Sequence, residues 1–163
     1  PKYSMSFRVV YIGGKEKYKN FINVLLGLTI FCKNYNVKID FLVIGINEGN
    51  FKNMVEPSVE NLSITFEKKI ERDQVFNILT NFNLLIFSSN TESFGLPLVE
   101  ADYFGLDIIA TDANYVLESC SPKFLFNPAD PNSLVRALVL YFQLNEYPNL
   151  ATSSEIRKKF FNN

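Results

Sequence analysis

"NLLIFSSNTESFGLPLVEADYFGLDIIATD", residues 83–112, contains a whole structural unit. The apolar run 83–89 is too short for a helix and is bounded by polar residues, so it reads as a buried strand. Residues 97–104 read as a helix: Pro97 suits its first turn and Gly105 stops it. "DIIATD" (107–112) is apolar and β-branched again, a second strand. Strand, loop, helix and strand in 30 residues predict a βαβ crossover and hence parallel pairing.

The same alternation runs outward in both directions. Upstream, strands are expected at "FRVVYIGG" (7–14), "KIDFLVIG" (38–45) and "LSITFE" (62–67). Helices fall between them at 19–33 and 71–81, on the spacing of Phe21, Ile22, Leu25, Leu26 and Leu28, then of Val75, Ile78 and Leu79. The segment 47–60 is ambiguous, a short helix followed by a turn at Pro57. Downstream, 113–119 is a short helix and "KFLFNP" (123–128) the last strand. Asp130 and Pro131 fit the N-cap and first position of a helix whose apolar face is Leu134, Leu138, Tyr141 and Phe142. Thr152 to Glu155 has the form of a capping box, for a short helix over 153–161 in the tail 153–163. The fold class is α/β: a doubly wound, mainly parallel Rossmann-like sheet with helices on both faces, in one domain over 1–163. The first residue is Pro1, and the chain is read as part of a longer polypeptide.

Composition removes several function classes. A net charge of −1 gives no basic field for nucleic acid. No apolar run reaches the ~20 residues of a membrane span. The two cysteines, Cys32 and Cys120, have no metal-like spacing, and a reduced cytoplasmic setting without a disulfide is the simplest reading. Histidine is absent, which excludes Ser-His and Cys-His catalysis by this chain. Carboxylates, lysines and backbone amides remain.

A doubly wound sheet binds ligands beyond the carboxyl ends of its strands, where the strand order reverses. With order 3-2-1-4-5-6 the reversal lies between the first and fourth strands. The loops there are "GGKEKYKN" (13–20) and "SNTESFGLPLVE" (89–100), the two most unusual loops in the chain. In the first, Gly13 and Gly14 permit close backbone approach, while Lys15, Lys17 and Lys19 crowd a helix start that a bound anion would relieve. A solvated lysine cluster is the plainer alternative. Neither G-x-G-x-x-G nor G-x-x-x-x-G-K-[ST] is present. In the second loop the amides of Gly95 and Leu96 are donors for a diphosphate. Glu92 lies in the loop and Glu100 about one turn into the helix. Taken singly, Glu92 reads as an exposed loop residue and Glu100 as an acid complementing the helix dipole.

Taken together, Glu92, Phe94-Gly95-Leu96-Pro97, Glu100-Ala101, Gly105 and Ile108-Ile109-Ala110-Thr111-Asp112 resemble the E-x7-E block of retaining GT-B glycosyltransferases, family 4 in particular. "FNPADPNSLVRAL" (126–138) and "YIGG…KYKN" are similar to two further segments of that family. The resemblance implies the C-terminal, donor-binding half of a metal-independent enzyme, with no cofactor beyond a nucleotide-diphosphate sugar as donor. It implies that Glu100 holds the ribose hydroxyls, that Glu92 lies by the transferred sugar, and that Lys19 neutralises the leaving diphosphate. Gly13, Gly14, Lys15, Ser93 and the amides of Phe94, Gly95 and Leu96 would line the sugar and diphosphate, and Ile70 would meet the base. It further implies a glycan or lipid-linked acceptor in surface polysaccharide synthesis, a missing N-terminal acceptor domain of the same enzyme, and a cytoplasmic place, peripheral at the inner membrane face. Gly14 stands where the family has an arginine, which puts a two-cation clamp in doubt unless Lys15 substitutes. Gly105-Leu106-Asp107 replaces the usual Gly-x-Pro. A non-catalytic module of the same fold, and an unrelated nicotinamide-binding domain, are the rival readings.

Overall fold

A computed structural model describes residues 6–14, 16, 19–51, 59–92 and 95–144. Six strands form one sheet: β1 (Ser6–Ile12), β2 (Lys38–Ile44), β3 (Leu62–Glu67), β4 (Leu84–Phe87), β5 (Asp107–Thr111) and β6 (Phe124–Phe126). Their order is β3-β2-β1-β4-β5-β6 and every pairing is parallel, as the alternation of elements predicts. Among the described residues four α-helices connect strands and a fifth follows the last: α1 (Phe21–Asn34), α2 (Arg72–Asn81), α3 (Leu96–Tyr103), α4 (Asn114–Ser119) and α5 (Pro131–Tyr141).

The pleat divides the core in two, because successive strand residues point to opposite faces. Val9, Tyr11, Phe41, Leu84, Ile86 and Ile109 meet Val24, Leu25, Leu28 and Phe31 of α1 and Leu134 and Leu138 of α5 on one face. Val10, Leu85, Phe87, Ile108 and Ala110 meet Leu79 of α2, Leu98 and Ala101 of α3 and Val116 of α4 on the other. β4 lies between helical layers and is buried along its length, so its four residues are uniformly apolar.

Several boundaries differ from the sequence expectation, each for a local reason. Helix α1 begins at Phe21 rather than 19, because Asn20 adopts the left-handed region (φ 57) as its N-cap. Strand β4 ends at Phe87. Ser88 and Ser89 are buried but belong to the following loop, where side chains from other elements hold them. Strand β6 is shorter than 123–128, since the Asn127 side chain turns the chain by accepting from the amide of Ala129 (3.0 Å). The ambiguous segment holds a 3-10 turn, Glu48–Asn50, capped by Asn47. Asp130 caps α5 as expected, its carboxylate accepting from Asn132 N (3.0 Å) with Pro131 next in the helix. The cysteines are unpaired and buried, Cys32 on one side of the sheet and Cys120 on the other. The expected tail helix lies outside the described residues. Among the described residues no helix is long and apolar enough to cross a membrane.

Candidate active site

β1 and β4 are hydrogen-bonded neighbours, with Val9 opposite Leu84 and Val10 opposite Leu85. Both run the same way, so their following loops leave the sheet side by side. The side chains then join them. Lys19 Nζ and Glu92 Oε1 are 2.7 Å apart across 73 residues, with 18% and 21% of the respective side chains exposed. Lys19 does not sit in the first turn of α1; the left-handed Asn20 separates it from the helix.

Four more contacts fasten the loops. The Asn20 amide group donates to Ser88 O (2.9 Å) and to Asn90 Oδ1 (3.1 Å). The Ser88 hydroxyl donates back to the Lys19 carbonyl. From α4, the Tyr115 hydroxyl donates to the Ser89 carbonyl. Burial, and secondarily the negative charge of Glu92, push that phenol up to about 12, so it stays a donor at neutral pH. At the end of β1 the Tyr11 hydroxyl donates to Gly14 O (3.0 Å), and burial raises its pKa as well.

The glycines also have structural duties. Gly13 is committed to the sheet: its amide donates to Ile44 O (3.0 Å), and a Cβ on Gly45 would lie 1.8 Å from its carbonyl oxygen. The left-handed backbone is at Gly45 (φ 103), not at Gly13 or Gly14. In the second loop Gly95 (φ 55) is the N-cap of α3, and its carbonyl accepts from Leu98 N (2.9 Å). Helix geometry leaves the first amides without intrahelical acceptors, and Pro97 has no N–H. The donors α3 can offer are therefore Gly95 N and Leu96 N.

Glu100 is the fifth residue of α3, beyond the first turn, so the reading of it as a dipole-complementing acid is corrected. Its partner is Arg72, whose guanidinium donates to Glu100 Oε1. Ile70, two residues before Arg72, is half-buried against the face that holds Leu98 and Ala101. The structure thus brings Lys19 to Glu92 and Arg72 to Glu100. Lys15, Ser93 and Phe94 lie outside the described residues. Sequence reading missed Arg72, Asn20 and Tyr115; only Asn20 carried a signal, an Asn at a loop-to-helix junction where left-handed backbone is tolerated. Among the described residues no group of three or more acidic, Cys or His side chains could hold a metal ion.

A parallel α/β domain with two joined loops at the strand-order reversal is the class this arrangement defines. The family model described as "Glycosyl transferases group 1" matches residues 1–156, and the chain belongs to that family. Solved structures agree on the fold. The C-terminal domain of the glycosyl transferase group 1 family protein LpcC from Francisella tularensis superposes with a TM-score of 0.67 at 18% identity, over 94% of this chain and 80% of that one. The catalytic domain of cholesterol-alpha-glucosyltransferase from Helicobacter pylori gives 0.66 at 14%, over 96% and 92%. The pneumococcal O-GlcNAc transferase GtfA, solved in complex with UDP and GlcNAc, gives 0.62 at 15%, over 85% of this chain and 29% of that one. No curated protein matches the chain significantly in sequence.

Proposed function

We propose that this chain is the donor-binding half of a retaining, metal-independent glycosyltransferase that moves a sugar from a nucleoside diphosphate to a glycan or lipid-linked acceptor. The observation that carries the reading is the Lys19–Glu92 contact, which joins the two loops at the reversal of strand order. Family membership supplies the reaction class. The diphosphate lies between Lys19 and the amides of Gly95 and Leu96, where negative charge grows as the leaving group departs. Glu100 accepts from the ribose hydroxyls, and Ile70 lies against the base. Glu92 orients the transferred sugar.

In the transfer step the bond from the anomeric carbon to the diphosphate breaks. The acceptor oxygen bonds to the same face, and its proton passes to the departing phosphate oxygen. Configuration is thereby retained without a protein nucleophile. A second domain presents the acceptor, so this chain alone binds donor weakly and turns over little. Surface polysaccharide assembly is the setting we propose, at the cytoplasmic side of the membrane.

Calorimetric titration with UDP, ADP and GDP tests the reading. At least one should bind, and Lys19→Ala and Glu100→Ala should each weaken it by about tenfold, the loss of one charge-assisted contact. Failure of all three to bind, or unchanged binding by both variants, refutes the assignment. The rival, a non-catalytic module, predicts binding without transfer even when the whole enzyme is assembled.

A further inference from the structure

We infer that Arg72 is a positioning residue for the donor: it holds the Glu100 carboxylate aimed, and so sets how strongly the site prefers a ribose to a deoxyribose. The inference rests on the donor-binding reading given above and adds to it a residue that neither loop contains.

Helix stability does not account for an arginine here. Arg72 is the first residue of α2, where a cation opposes the helix dipole. That helix start is already served by Glu71 and Gln74, which form a reciprocal capping box, and by Asp73 in the first turn. The Arg72 side chain instead reaches across 28 residues to Glu100 Oε1. Its orientation is fixed on a second side, with Cζ 5.0 Å from the centre of the Phe76 ring one turn along α2. The partners differ sharply in solvent contact: 59% of the Arg72 side chain is exposed but only 11% of that of Glu100. A carboxylate so far withdrawn from water is costly without a cationic partner, and Arg72 supplies one.

A carboxylate held this way suits a vicinal diol. Each oxygen has lone pairs to spare after accepting from a guanidinium, so Glu100 can still take two O–H bonds. Two parallel donors need the carboxylate plane set in advance, and a preset acceptor loses less freedom on binding. A sugar lacking the 2′-hydroxyl offers one donor and profits less from that alignment. Discrimination between the two sugars therefore reports the aim of Glu100, not the general integrity of the domain.

The experiment is a double-mutant cycle on the chain: Arg72→Ala, Glu100→Ala and the double variant, each titrated with UDP and 2′-deoxy-UDP, with the matching ADP and GDP pairs alongside. The wild type should prefer the ribonucleotide by about tenfold. Arg72→Ala should reduce that preference to about twofold, while Arg72→Lys restores part of it, and in the Glu100→Ala background removing Arg72 should change nothing. Equal weakening of both sugars, or an unchanged preference, would mean that Arg72 only ties α2 to α3 and overturns the inference. A preference that rises on removing Arg72 would mark it as a plug and overturn it too. If the wild type binds none of the nucleotides, the donor-binding reading has failed and takes the inference with it. If the wild type binds through Glu100 but ignores Arg72, only the inference has failed.

Discussion

Lys19 and Glu92 neutralise each other at the junction of two loops, and that pairing sets what a ligand must do there. A diphosphate arriving at Lys19 competes with a carboxylate already in place. Replacing the carboxylate by an amide removes the competitor and leaves the side chain's shape. Glu92→Gln should therefore tighten nucleoside diphosphate binding by about two- to fivefold, the range expected of a partly exposed ion pair. Calorimetry with UDP reads this directly, and a tenfold weakening would show that Glu92 contributes to diphosphate binding itself. Asn20 makes a related point. It adopts a backbone conformation that L-residues avoid at about 1–2 kcal/mol, and its side chain fastens Ser88 and Asn90 in return.

Among the elements, α1 shows how a helix end is secured from a distance. Asn61, just before β3, donates to Cys32 O in the last turn (2.8 Å), to the C-cap Tyr35 O (3.1 Å) and to Val37 O beyond it (2.8 Å). Asn61 is buried, so its loss removes those donated bonds where water has little access. Asn61→Ala should cost about 1–3 kcal/mol, seen as a lower urea midpoint with unchanged slope. A loss below a few tenths of a kcal/mol would mean that water replaces the amide. Contacts of this kind were not legible in the chain. The strands and helices were, because Val9, Leu84, Ile108 and their neighbours repeat with the period of the element they occupy. The α5 N-cap was legible too, since Asp130-Pro131 is a local signal. The partners Asn61, Arg72 and Tyr115 act on residues 24 or more positions away, and no local pattern records them. The start of α1 slipped for the same reason: the left-handed Asn20 is held by the loop after β4.

Over the molecule as a whole, the sheet divides two apolar layers, with a buried cysteine in each. Burial pushes Cys32 up to about 12, and burial followed by the negative charge of Asp102 pushes Cys120 up to about 11, from an ordinary value of 9.0. Each raised value means that the folded state keeps a proton the unfolded state releases. That contribution is complete below pH 9.0 and is lost as pH rises through about 11 and 12. Stability should fall across that alkaline window. At pH 8 the native thiols should react with an aromatic disulfide reagent far more slowly than in urea. Prompt labelling of both thiols in the native protein would contradict the packing of both layers.

The strand order also brings the loops after β1 and β4 together at one end of the sheet. Ser88 and Ser89, buried at the end of β4, stand beside Lys19 and Asn20 after β1. A separate cleft of about 490 Å³ opens near the amino ends of β1, β5 and β6, lined by Phe7, Asp107, Phe124 and Tyr141 among others. A nucleoside diphosphate must choose between these ends, and amide chemical shifts in an isotope-labelled chain titrated with UDP, ADP and GDP report the choice residue by residue. Donor binding between the two loops predicts large shifts at 13–20, 70–72 and 88–100, with Phe7, Asp107 and Phe124 unmoved. Shifts concentrated at Phe7, Asp107 and Phe124, with Lys19, Gly95 and Leu96 silent, would contradict it.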